Sequence, residues 1–176
     1  MSNLQTRRVT QREAVVEVYH GIQVADPYRW LEDDTCPEVQ AWTKEQNGDF
    51  EAYINSFDIR SDIKSRLSSL MNYAKTGVPT VVKGVYYTWR NDGLQNQHVL
   101  YRSSNPSELG EVIFDPNLLS DDGTVAVTSK EFSPNGKCLA YGLSKSGSDW
   151  QTMHVLDLET LENLPDILCD LKFTSL

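Results

Sequence analysis

Nucleophilic catalysis by a serine needs three groups in one place: a hydroxyl nucleophile, a histidine base within hydrogen-bond reach, and a carboxylate that orients the base. On an α/β-hydrolase sheet that serine stands on a G-x-S-x-G elbow between a strand and a helix. The chain contains no such elbow. Its nearest string, Gly147-Ser148-Asp149, falls between two strand-like runs and lacks a helix behind it, so it reads as a turn. The histidines offer no better start. His20 lies in an N-terminal entry segment and is read as a structural hydrogen-bonding residue. His98 and His154 fall inside expected strands beside Val99 and Val155, and their spacing does not bring two or three metal ligands together. Asp121-Asp122-Gly123 opens like a calcium loop but lacks the alternating ligands and the distal glutamate, and is read as a turn. No catalytic residue, metal ligand or cofactor is assigned.

Composition narrows the partners. The 176 residues carry a net charge of −9, and charged residues make up 23% without forming a block of one sign. Such a chain repels phosphate backbones, which argues against nucleic acid, and is too apolar for wholesale disorder. Cys36, Cys138 and Cys169 form an odd set without CxxC spacing, so neither a disulfide framework nor a structural zinc is expected. No apolar core follows the arginines of MSNLQTRRVT, and no apolar run reaches membrane-spanning length. A reduced, soluble, cytoplasmic chain with no membrane partner is expected.

Two kinds of element must position whatever chemistry there is. Thr35-Cys36-Pro37-Glu38 has the form of a capping box with proline in the first turn. Val39, Trp42, Gln46, Phe50, Tyr53, Ile54 and Phe57 follow at helical spacing, which predicts a helix with this stripe as its buried face. Asp58 is placed to cap a second helix with Ile59, Ile63, Leu67, Leu70 and Met71 on one side.

After Gly77 the period becomes two. Val78–Val82, Val85–Arg90, Gln97–Arg102 and Glu111–Phe114 are β-branched and aromatic runs separated by Lys83-Gly84, Asn91-Asp92-Gly93 and further turns. The pattern restarts with Val125–Phe132, the turn Ser133-Pro134-Asn135-Gly136, Lys137–Leu143 and Gln151–Leu156. A weak strand before Pro165 and a run from Leu171 to Leu176, placed to open another unit, complete the pattern. Four-stranded meanders at this spacing are the mark of propeller blades, although a compact sandwich could use the same strands. About two blades are present where a ring needs roughly four to eight.

One string is more specific than any periodicity. Tyr19-His20-Gly21, then Val24-Ala25-Asp26-Pro27-Tyr28-Arg29-Trp30-Leu31-Glu32-Asp33, resembles the N-terminal signature of the prolyl oligopeptidase family of serine peptidases. Gly93-Leu94-Gln95-Asn96-Gln97, Asp115-Pro116-Asn117, Leu118 to Thr124 and Gly147-Ser148-Asp149-Trp150 resemble further stretches of these enzymes in the same order. The resemblance implies an α+β arrangement: residues 1–72 as the N-terminal helical extension of an α/β-hydrolase catalytic domain, and 73–176 as the first two blades of an incomplete seven-bladed β-propeller. It further implies a monomeric parent that cuts short peptides after proline, with its triad in a C-terminal region beyond this chain. The chain alone would then be inactive. Phe173 matches an aromatic of the family's substrate pocket and is the one substrate-binding residue assigned; Asp149 lies in a loop that could face the same cavity. Two other readings stay open, a non-catalytic module that binds through open blade edges and a fragment of an inactive relative.

Overall fold

A computed structural model describes residues 9–174. The chain divides into two compact units, one up to Ile63 and one from Lys64.

The first unit opens with a hairpin, β1 (Val16–Tyr19) and β2 (Ile22–Ala25), in which Tyr19 pairs with Ile22. Its two-residue loop is His20-Gly21, with φ of 52° and 83°. Two consecutive positive φ angles match the twist of antiparallel strands, and glycine adopts the second without a β-carbon clash. A short 3₁₀ turn, Arg29–Glu32, leads to α1 (Pro37–Asn55).

The expected capping box does not form. The helix starts one residue later than the box requires, with Cys36 as its N-cap and no side-chain cap bond. Thr35 is already engaged: its amide and hydroxyl donate to Asp33 Oδ1 at 3.0 and 2.6 Å. The predicted apolar stripe is also not a buried face. Val39 is buried, Trp42, Gln46 and Ile54 are half-buried, and Phe50, Tyr53 and Phe57 are exposed. α2 (Ile59–Met71) begins directly after Asp58, and Ile59, Ile63, Leu67, Leu70 and Met71 are more than half exposed. The helical period was real, but period alone does not supply the surface that would cover it.

The second unit holds two antiparallel sheets. In the first, β5 (Val85–Asn91), β6 (Val99–Ser103) and β7 (Glu111–Phe114) form a meander, and β3 (Lys75–Thr76) and β4 (Thr80–Val82) both pair with β5. The expected run from Val78 is thus broken. Pro79 has no N–H to give a ladder, and pairing resumes at Thr80. Lys83-Gly84 makes the tight turn as expected, with φ of 53° and 82°. β6 starts at Val99, so His98 lies just outside it and is exposed.

The second sheet runs β8 (Val125–Phe132), β9 (Cys138–Lys145), β10 (Trp150–Asp157) and β11 (Leu168–Lys172) in order. The turn between β8 and β9 is the one predicted: Gly136 N donates to the Ser133 carbonyl at 2.8 Å, with Gly136 at φ 74°. The weak strand before Pro165 reduces to one bridge, Leu156 with Asn163. Leu171 does not open a new unit. It pairs with Gln151 as part of the fourth strand of this sheet, while Ser175 and Leu176 lie outside the described residues.

The core lies where the sheets meet. Tyr87, Leu100, Ile113 and Phe114 from the first sheet pack against Leu139, Tyr141 and Leu156 from the second, with Leu158 just beyond. Phe114 and Tyr141 rings are 4.6 Å apart and Tyr87 and Phe132 4.4 Å apart. Leu100 and Leu139 are wholly buried, so each contributes the roughly 2–5 kcal/mol that truncating such a leucine costs. Both sheets are meanders of consecutive strands, as blades are, and neither closes on itself.

Candidate functional site

No serine, histidine and acidic side chain join in one hydrogen-bonded set among the described residues. Ser148 sits in the β9–β10 loop, where its Oγ accepts from the Trp150 amide at 3.1 Å and its carbonyl accepts from Ser144 Oγ at 2.5 Å. Both bonds shape a turn. His154 stacks on Tyr141 with ring centres 5.6 Å apart and shares a hydrogen bond with Thr152 Oγ1 at 3.2 Å. His20 occupies the β1–β2 turn and His98 is exposed. Among the described residues no serine hydroxyl is bonded to a histidine, and no three His, Cys, Asp or Glu side chains converge as a metal set. Asp122 accepts from the amide and hydroxyl of Thr124 at 3.0 and 2.8 Å, bonds that hold its carboxyl below the usual range and make a turn of the acidic string. No helix among the described residues is long and apolar enough to cross a membrane.

Motif residues that sequence reasoning left without a role act as ties. Arg29 forks onto Glu17, with Nη1 and Nη2 donating to its two carboxylate oxygens at 3.0 and 2.9 Å, while Nε donates to Asp26 at 2.5 Å and stands 3.5 Å from Glu32. A planar guanidinium matches this paired geometry as lysine cannot. Hydrogen bonding to Arg29, with help from the Tyr19 hydroxyl, holds the Glu17 carboxyl below its ordinary range. The same carboxylate pushes the Tyr19 phenol upward and the Arg29 guanidinium well above its ordinary range. Trp30 donates to the Gln11 carbonyl at 3.1 Å and meets Trp42 edge-on at 6.3 Å. Alternation in Val16–Tyr19 and Ile22–Ala25 around a glycine-containing pair was the signal that could have found this hairpin.

Gln97 plays the equivalent part between the sheets. Its side-chain amide donates to the Val125 carbonyl at 2.7 Å and accepts from the Val127 amide at 2.8 Å, which imitates a strand along the edge of β8. Asn117 holds its backbone, accepting from the Gln97 amide at 2.9 Å and donating to the Gln97 carbonyl at 3.1 Å. Arg102 adds a second tie, donating to the Leu158 carbonyl at 2.5 Å while paired with Glu111 at 2.7 Å.

Open surfaces among the described residues include two shallow grooves. A shallow groove of about 560 Å³ runs along α1 past Asp34, Val39, Thr43, Lys44 and Gly48. A smaller one of about 280 Å³ lies on the second sheet over Phe132, Pro134, Cys138, Ala140 and Val155. Neither gathers a nucleophile with a base. Phe173, the assigned substrate contact, stands just past β11 and is 81% exposed, with Lys172 stacked against it and Asp149 3.6 Å from that lysine's ammonium. It is not part of the described core.

Comparison with known proteins supplies the frame for these surfaces. The family model for the prolyl oligopeptidase N-terminal β-propeller domain matches residues 7–176. The chain is 38% identical over 99% of its length to a prolyl endopeptidase of Elizabethkingia meningoseptica and covers 25% of that protein. It is 36% identical over 83% of its length to a dual function macrocyclase-peptidase of Amanita bisporigera, covering 22%. Among solved structures, one from a study of two prolyl endopeptidases and their inter-domain dynamics matches with TM-score 0.79 and 32% identity over 93% of this chain and 24% of that one. Prolyl oligopeptidase B of Galerina marginata bound to a 25mer macrocyclization substrate matches with TM-score 0.75, 32% identity, and 96% and 27% coverage. The chain spans about a quarter of the length of these relatives. Its signature strings, its blade-like meanders and these matches agree: the chain belongs to the prolyl oligopeptidase family and corresponds to the N-terminal region of its members.

Proposed function

We propose that the chain is the N-terminal portion of a serine endopeptidase that cleaves short peptides after proline, and that it carries no catalysis of its own. The observation that carries this reading is the match to prolyl endopeptidases over nearly the whole chain, joined to a Ser148 hydroxyl whose bond is to a backbone amide and not to a histidine. In this reading α1 and α2 extend an α/β-hydrolase domain, and the two sheets begin a seven-bladed ring in a cytoplasmic, monomeric parent. The ring acts by size. A channel through packed blades admits an extended peptide and excludes a folded domain, so selection costs no specific contacts. Phe173 supplies apolar contact beside the peptide's proline.

The exposed edge strand β11 favours this over strand-addition binding. Its pairing with β10 slips between Gln151 and Met153, and Asp170 there takes φ 57°. A bulge at an edge twists the free hydrogen-bonding groups away from a partner strand. Size selection is tested in the full-length parent with one proline site presented in a short peptide and in a stable folded protein. Cleavage confined to the peptide is expected. Comparable cleavage of the folded substrate would rule out the ring as a filter.

A further inference from the structure

The second sheet offers two aromatic rings to solvent at one corner. Trp150, the first residue of β10, is 55% exposed, and Phe173, just past β11, is 81% exposed. Exposed rings are common on this chain, but these two share one neighbour. Between them stands Lys172, which the register of β10 and β11 places opposite Trp150. Its ammonium lies 5.4 Å from the Trp150 ring centre and 5.1 Å from that of Phe173, and 3.6 Å from the Asp149 carboxylate. A lysine on an exposed edge ordinarily samples many rotamers. Here one carboxylate and two ring faces converge on a single ammonium, and each ring gains from a cation over its face.

The backbone adds direction. Phe173 has φ 50°, a left-handed conformation that a side chain bearing a β-carbon seldom adopts. It turns the chain out of β11, so the ring leaves the strand at a fixed angle but has no core to rest on. We propose that Lys172 is a positioning residue for Phe173: anchored by Asp149 and Trp150, its ammonium holds the Phe173 ring in place to receive the apolar part of a proline-containing peptide. This rests on the reading of Phe173 as part of the substrate wall. It gives the Asp149 loop a task as well, since the carboxylate offsets the lysine's charge and leaves the wall apolar rather than cationic. The site would accept uncharged residues beside proline.

The test uses the full-length parent and a short proline-amide peptide. Lys172→Met keeps the apolar stem and removes the charge. It should raise KM roughly threefold with kcat nearly unchanged, and Lys172→Arg should restore KM, because guanidinium also stacks on rings. In a Phe173→Ala background, Lys172→Met should add nothing further, since the ring it positions is gone. A merely structural lysine would lower Tm and affect both backgrounds alike. If Phe173→Ala raises KM and Lys172→Met does not, or if the two effects add, the positioning role is overturned while the reading of Phe173 stands. If Phe173→Ala leaves KM unchanged, the substrate-wall reading fails and this inference falls with it.

Discussion

The two units solve the same problem, an apolar pattern that must be covered, with opposite success. In the sheet unit most of the expected strand runs find antiparallel neighbours, although the weak one before Pro165 keeps a single bridge, and rings and leucines from both sheets close a core around Leu100, Leu139 and Tyr141. In the N-terminal unit Val39 is the one buried apolar side chain among the described residues, while Phe50, Tyr53 and Phe57 stay exposed along α1. What holds that unit's hairpin and turn is polar, the Arg29 fork onto Glu17 and Asp26. A sheet blade brings its partner along in the next meander. An amphipathic helix depends on whatever chain lies elsewhere, and polar ties at the surface are worth little in its absence.

This contrast can be broken at several points. Leu139→Ala should cost the sheet unit about 3–4 kcal/mol, because the site is wholly buried and flanked by Tyr141 and Leu156. Urea unfolding of the purified chain measures it, and a loss under roughly 1 kcal/mol would mean that the core is not the one described. Gln97→Ala should cost less, about 1–3 kcal/mol, by orphaning the Val125 carbonyl and Val127 amide that its side chain satisfies. Faster hydrogen exchange at Val127 should accompany the loss. If that amide stays protected, Gln97 is not what ties the sheets.

The polar unit should respond to acid instead. Arg29 holds the Glu17 carboxyl below its unfolded value, so its contribution is present above the unfolded pKa and is lost as pH falls through the lower, folded one. Asp33 and Glu38, held low by hydrogen bonds from Thr35 and Cys36, share that sign. Glu17→Gln should therefore flatten the acid limb of a plot of Tm against pH, with little change near neutrality beyond the loss of one exposed pair. An unchanged acid limb would place the pH dependence elsewhere. The smallest effect is expected on α1. Phe50→Ser should change the chain's stability by no more than about 0.5 kcal/mol, since the ring is exposed already. A large loss would reveal a packing partner for the Phe50 ring.

Sequence reasoning reached the sheets better than the helices for a physical reason. Period-two runs bounded by Lys83-Gly84 and Asn135-Gly136 carry their own pairing instructions, because the turn fixes which residues face each other. Glu111–Phe114 and Val125–Phe132 accordingly fall where they were expected. Pro79 splits the first strand by removing a donor that periodicity does not see. The helix start slipped by one residue because Asp33 competes for Thr35. The hairpin at Val16–Ala25 is legible in the alternation of its two short runs about His20-Gly21. Gln97, Asn117 and Arg29 could be seen as motif residues, but which carbonyl or carboxylate each one meets is long-range geometry that no local pattern encodes.

We propose that this chain belongs to a proline-directed serine peptidase and does not act as one alone. Treating the purified 176-residue chain with a serine-reactive fluorophosphonate probe, alongside a proline-amide reporter, addresses it most directly. The account predicts no stoichiometric label and no turnover, because Ser148 Oγ only accepts from the Trp150 amide and no histidine is there to activate it. One labelled serine per chain, with turnover that the probe abolishes, would contradict it.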